Sequence, residues 1–225
     1  MENADFNLPE GLIIRKVRGH WLTQNPNPHA SIVAALSLMV LLIVNFLYWR
    51  NDFNLENFMT AVPQKVFEKH QYWRLWSALF AHADIAHLLS NSLLFAVFAY
   101  FLYGYFGTFV FPFAALLFGG LINWVVLKTL SQNSELLGIS GVVYWMGAVW
   151  LTLYLFLETR AVVSTRLVKA IGISLLLFIP ETYHRDVSYL SHFVGFVSGI
   201  GFALLYYRQN RETFKKAESV ELVEA

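Results

Sequence analysis

The sequence predicts an all-α polytopic membrane protein, a bundle of six spanning helices with a long membrane-associated first loop. Three observations lead there. Of 225 residues, 57% are apolar and only 14% charged, a balance too greasy for a water-soluble domain. Six apolar runs stand at about 31–49, 85–103, 108–128, 140–157, 167–180 and 188–207, most of them near the ~20 helical residues that a ~30 Å hydrocarbon core requires. The unusual polar residues of those runs collect at the starts of the second, fourth and sixth.

Composition also removes several function classes. A formal charge of +1 gives no electrostatic footprint for nucleic acid, and the absence of cysteine excludes disulfides, thiolate catalysis and cysteine-ligated metal. Nothing in the pattern calls for a cofactor or a metal ion. No apolar run with a small-residue cleavage site follows Met1 within signal-peptide distance, so a removable targeting segment is not expected.

Residues 1–30 form a polar tail with Pro9, Pro26 and Pro28. Within it, Leu12–Leu22 mixes Leu12, Ile13, Ile14, Val17 and Trp21 with Arg15, Lys16 and Arg18. That stretch reads either as a short helix lying on an anionic membrane surface or as a solvated tail. The membrane domain is expected over 31–207, followed by a charged tail, 208–225. The first loop, Arg50 to Asp84, is rich in Phe, Trp and Tyr, which places it in the headgroup region and not in free solution. The fifth run is the shortest and ends at Pro180, so it is expected to be tilted, partly interfacial or mobile. No internal repeat supports a symmetric transporter fold.

Orientation follows from the cations. With the N-terminus in the cytoplasm, that side holds ten: Arg15, Lys16, Arg18, Arg160, Arg166, Lys169, Arg208, Arg211, Lys215 and Lys216. The other side holds six: Arg50, Lys65, Lys69, Arg74, Lys128 and Arg185. The excess favours both termini inside. The second, fourth and sixth helices then all enter from the outer face, bringing His82, His87 and Asn91, Ser140, and His192 to similar depth.

Those residue types at one depth point to chemistry. A serine hydroxyl is a poor nucleophile unless a base takes its proton and donors receive the oxyanion. Intramembrane histidines are costly to bury and are functional candidates by default. His87 and Asn91, four apart, share a helix face and aim an imidazole and a carboxamide at one point. Gly195 and Gly199, three and seven residues after His192, let a neighbouring backbone approach closely. Tyr144 lies one turn after Ser140, where its ring can pack beneath an imidazole. Gly138 and Gly141 permit a tight path into the helix, whose free N–H groups can join an oxyanion site. Each residue alone reads as packing, and His82 reads as a structural link between the first loop and helix two; His20, His29, His70 and His184 fall outside the runs. The soluble nucleophile elbow, Gly-x-Ser-x-Gly on a strand–turn–helix, fails because position 142 is valine and the flanks are apolar spans.

Four separated signatures resemble the rhomboid family of intramembrane serine proteases, specifically its compact six-helix bacterial members. They are Trp73-Arg74, His82 with His87-Leu-Leu-Ser-Asn91, Gly138-Ile-Ser-Gly141, and His192-Phe-Val-Gly195-Phe-Val-Ser-Gly199. The resemblance implies Ser140 as nucleophile and His192 as general base in a dyad without a carboxylate, and the apolar runs offer no Asp or Glu beside His192. It implies an oxyanion hole from Asn91, His87 and the Ser140 N–H, with Tyr144 supporting His192. It further implies a substrate gate and cap from helix five and the loop Pro180 to Ser188, membrane-protein substrates, and a bacterial inner-membrane location. Two departures stand out. The Glu-Arg pair that the family often carries after helix two is replaced by the uncharged Tyr103-Gly-Tyr-Phe-Gly107, so that helix is expected to be tethered differently. Ser191 stands before His192 where alanine is usual. The rival readings are a rhomboid-like pseudoprotease that binds helices without cutting, and a proton path lined by His82, His87 and His192.

Overall fold

A computed structural model describes residues 13–178 and 188–224. The long helices are α1 (Ala30–Trp49), α2 (Ile85–Thr108), α3 (Ala115–Leu127), α4 (Ser140–Leu157), α5 (Val163–Phe178) and α6 (Tyr189–Lys216), with strands β1 (Ile13–Gly19) and β2 (Ser219–Glu224) near the termini. By length and hydropathy, four helical stretches are able to cross a membrane: α1, the 43-residue stretch Ile85–Leu127, α4 and α6. The chain is therefore mostly helical and apolar along its length.

The 43-residue stretch is not one rod. Gly107 (φ 76°, ψ −173°) and Phe111 (φ −135°, ψ 127°) leave helical geometry and divide it into α2 and α3. Both far ends return to the first loop: His87 of α2 packs on Gly138, whose N–H bonds Ala78 O, while Asn123 of α3 donates to Leu75 O at 2.8 Å. The two segments therefore fold back on each other. At α2's start the Asp84 carboxylate accepts the His87 N–H at 2.8 Å, satisfying a donor that the helix itself cannot.

Helix α4 is the hub. It is 78% buried within the protein, against 22% for α1 and 28% for the apolar window of α6, whose outer faces carry exposed Ile, Leu and Phe as lipid-facing helices do. Trp145, fully buried, stacks on Phe118 at 5.1 Å and meets Phe202 at the same distance, joining α3, α4 and α6. Helix α5 has only 16 residues and is mostly exposed, with Arg166 reaching Leu155 O at 2.6 Å.

The first loop is folded. Short helical turns at Leu55–Met59, Gln64–Glu68, Arg74–Ser77 and Ala78–Phe80 pack on the bundle. Arg74, 4% exposed, organises them by donating to Thr60 O at 2.8 Å, Asn57 O at 2.7 Å and Gln71 Oε1 at 2.6 Å. Ala61 and Leu136 exchange backbone hydrogen bonds at 3.0 and 2.8 Å, tying this loop to the segment that leads into α4.

The reading of the terminal tails needs correction. Ile13–Gly19 is neither a surface helix nor a solvated tail; it pairs antiparallel with Ser219–Glu224. The reason is complementarity: Lys16 opposes Glu221, Val17 opposes Val220, and Arg18 pairs with Glu221. Within the charged stretch 208–225, α6 continues to Lys216, and buried Phe214 packs edge-on against Trp21 at 5.2 Å. The same N-terminal segment supplies the tether of α2. Trp21 Nε1 donates to Tyr105 O at 2.8 Å and the Asn27 N–H to Gly104 O at 2.8 Å. Backbone carbonyls there do what a charged pair would otherwise do.

Candidate active site

Gly138, Ile139 and Ser140 form the entry into α4. Gly138 has φ +107°, a conformation that costs any residue with a Cβ, and a Cβ there would stand 2.9 Å from His87 Cε1 and 3.1 Å from its Nε2. The His87 imidazole thus lies directly on the glycine. Ser140, 7% exposed, is the first residue of α4, so its N–H belongs to the turn that has no partner within the helix.

Helices α4 and α6 touch backbone to backbone. A Cβ at Gly195 would overlap Gly141 O and lie 3.1 Å from its carbonyl carbon; one turn on, a Cβ at Gly199 would be 2.5 Å from Trp145 O. Only glycines permit that crossing. Seen from the other helix, a Cβ at Gly141 would be 3.4 Å from both Ser191 O and Ser191 Oγ, so Ser140-Gly141 and Ser191-His192 are neighbours across the interface. Ser191 also shapes the start of α6, its N–H bonding Ser188 Oγ at 3.3 Å.

His192 is 5% exposed, and its ring lies flat on Tyr144, with centroids 3.9 Å apart and planes 12° from parallel. Its Nε2 is buried and has no hydrogen-bond partner among the described residues. A buried ring nitrogen left without a partner is costly unless it serves something. Asn91 is fully buried; its Nδ2 donates to His87 O at 2.8 Å, and its Oδ1 has no partner among the described residues. One hydrogen of that amide is thus held by its own helix and one remains.

His82 is fully buried and touches three elements. Its Nε2 accepts the Ile139 N–H at 3.3 Å, its Nδ1 lies 3.1 Å from Asn45 Nδ2 on α1, and its ring meets His87 edge to face at 4.9 Å. Burial, then the neighbouring His87, hold its pKa down at about 3, so it is neutral at physiological pH. The fold brings Ser140, His192, Tyr144, Gly138, Gly141, Gly195, Gly199, His87, Asn91 and His82 into one region. Pro180 to Val187 of the expected cap lie outside the described residues, as does His184. Among the described residues, no group of three His, Asp or Glu side chains is placed to hold a metal ion.

The family model of the Rhomboid domain matches residues 69–209, more than half of the chain. The chain belongs to the rhomboid family. Its apolar helices and that membership make it an integral membrane protein. No curated protein matches the chain. All ten residues of the region fall inside the rhomboid match, whereas α1 falls outside it.

Sequence reasoning passed over Asn45 and Trp49, which reach the rhomboid site region from α1. A lone carboxamide inside an apolar run was the available signal. The sequence sets His20 aside as lying outside the apolar runs, yet it closes the opposite end of the bundle. That ring, 2% exposed, accepts the Leu22 N–H at Nδ1 and donates from Nε2 to Glu158 at 3.0 Å. Nothing in the spacing of residues 20 and 158 announces that pair.

Proposed function

We propose that this rhomboid-family protein is an intramembrane serine endopeptidase that cuts transmembrane-protein substrates with a Ser140–His192 dyad. The observation that carries the reading is the glycine-built crossing of α4 and α6. It sets Ser140-Gly141 against Ser191-His192 and stacks His192 on Tyr144 with Nε2 left unpartnered.

In the proposed reaction, Ser140 Oγ attacks the scissile carbonyl carbon while His192 Nε2 takes the hydroxyl proton. Negative charge passes to the carbonyl oxygen, which the Ser140 N–H, His87 and the remaining Asn91 amide hydrogen receive. The C–N bond then breaks, and the imidazolium returns its proton to the departing amine. Water, deprotonated by His192, attacks the acyl ester carbonyl; the C–Oγ bond breaks, the imidazolium returns that proton to Ser140 Oγ, and the carboxyl product leaves. Tyr144 restricts the imidazole to the orientation that both proton transfers need.

The proposal includes six spans, α2 and α3 counting separately and α5 as a short sixth. It places both termini in the cytoplasm of a bacterial inner membrane, with the site opening outward, following the excess of cations. The substrate is a transmembrane helix that unwinds locally, because an intact helix keeps each carbonyl bonded. The test pairs fluorophosphonate labelling with cleavage of a panel of single-span proteins, comparing wild type, Ser140→Ala and His192→Ala. Labelling and cleavage should be lost in both variants. Wild-type protein that captures helices uncut and resists labelling would instead make it a binding relative.

A further inference from the structure

Asn45 is the only polar side chain among the buried residues of α1, and nothing in the proposed reaction uses it. It is fully buried, with Nδ2 2.6 Å from Phe80 O, 3.2 Å from Leu41 O and 3.1 Å from His82 Nδ1. Trp49, four residues on and so on the same helix face, donates its Nε1–H to His82 O at 2.7 Å. Two donors from α1 therefore hold the turn Phe80–His82 at both ends, one by each carbonyl. A carboxamide in an apolar helix is expensive to bury, and a leucine would pack there without that cost.

The chain of contacts continues to the nucleophile. The His82 ring accepts the Ile139 N–H and meets the His87 ring, and Ile139 immediately precedes Ser140. A neutral imidazole has one acceptor nitrogen, so the Asn45 and Ile139 donors compete for it, and Asn45 biases the ring's tautomer. We propose that Asn45 is a positioning residue. Through the Phe80–His82 turn and the His82 ring it fixes the Gly138–Ser140 backbone, and with it the Ser140 N–H that receives the oxyanion. The inference rests on reading Ser140 as the nucleophile, and it extends the working site to a helix outside the family match.

The experiment measures kcat and KM for a transmembrane peptide in liposomes, the rate of Ser140 labelling by a fluorophosphonate, and thermal unfolding. The proteins are wild type, Asn45→Leu, Asn45→Ser, His82→Phe and the Asn45→Leu/His82→Phe double variant. Asn45→Leu should lower kcat on the order of 10- to 100-fold, the scale of a small misplacement of reacting groups, with KM within about twofold and labelling slowed in parallel. Asn45→Ser, which keeps a donor, should recover part of kcat. The double variant should lose no more than His82→Phe alone, because both act on one path. Wild-type kcat in Asn45→Leu, or losses that multiply in the double variant, would overturn the assignment. If Asn45→Leu does not fold, Asn45→Ser decides: reduced kcat at unchanged KM supports it, and unchanged kcat with lower thermal stability refutes it. Wild-type protein that neither labels nor cleaves removes the protease reading and this inference with it, an outcome distinct from a silent Asn45.

Discussion

Replacing Gly199 by alanine tests whether the α4–α6 crossing sets the site. The new Cβ would stand 2.5 Å from Trp145 O and 2.8 Å from Ala148 Cβ, both groups on a packed helix with no flexible end to give way. Clearing the carbonyl requires the helices to part by roughly 0.5 Å to reach 3.0 Å, and roughly 0.9 Å to reach the 3.4 Å of ordinary contact. Overpacking of this kind costs about 1–3 kcal/mol. A shift approaching 1 Å between Ser140 and His192 should lower kcat by about 10²-fold. Gly201 is the control on the same helix, since a Cβ there meets nothing within 4 Å. Gly201→Ala should keep wild-type kcat and gain about 0.5–1 kcal/mol of helix stability. The assay is cleavage of a transmembrane peptide in liposomes beside thermal unfolding of the same preparations. Gly199→Ala with wild-type kcat, or Gly201→Ala as impaired as Gly199→Ala, would refute the reasoning.

Other outcomes follow from neighbouring residues. Gly138→Ala should abolish most cleavage and destabilise by more than about 1 kcal/mol, because φ +107° disfavours a Cβ and the His87 ring occupies its place; cleavage rate and unfolding temperature check it. Arg74→Lys should cost about 2–3 kcal/mol, since one ammonium cannot reproduce the three donors that reach Thr60, Asn57 and Gln71; the midpoint of thermal unfolding reads this. At the other end of the bundle, hydrogen bonds from Arg160 lower Glu158 to about 2, burial opposes this, and His20 adds to it. Burial lowers His20 despite the pull of Glu158. Both groups bind protons more readily when unfolded, so their stabilisation is full above about pH 6.5. It falls as pH drops, first through His20 and, below about pH 4.5, through Glu158. Proteolysis of residues 13–24 should therefore accelerate between pH 7 and pH 5, and less so in His20→Gln.

Much of the architecture was legible because the forces behind it are local and periodic. The fourth run, 140–157, coincides with α4, and the second begins with α2 at Ile85, where Asp84 caps the helix. The end of the sixth was not legible. Arg208 to Lys216 carry charge and so read as tail, yet the helix persists because Phe214 finds Trp21, a partner nearly two hundred residues away in sequence. The β1–β2 pair was missed for the same reason: a two-stranded sheet between the ends of a chain has no local signal beyond the complementarity of IIRKVRG and SVELVE. Within the site, the i to i+4 spacing of His87 and Asn91 placed them on one face. It did not reveal that Asn91 Nδ2 turns back to His87 O.

By itself the sequence determined that this is a helical membrane protein, because apolar runs of sufficient length have no better solvent than lipid. It also placed Ser140 at the head of one of those runs and His192 in the first turns of another. Only the tertiary structure decided that the Gly-Ile-Ser-Gly stretch lies, through Gly141, against Ser191 at the start of α6, since this depends on which helices cross and how closely. The crossing is close because Gly195 and Gly199 face Gly141 and Trp145 backbone, a match between two surfaces far apart in the chain. The tertiary structure likewise decided that α1 reaches the entry into α4 through Asn45 and His82, since hydrogen bonds that satisfy buried polar groups are chosen by proximity in space and leave no period in the sequence.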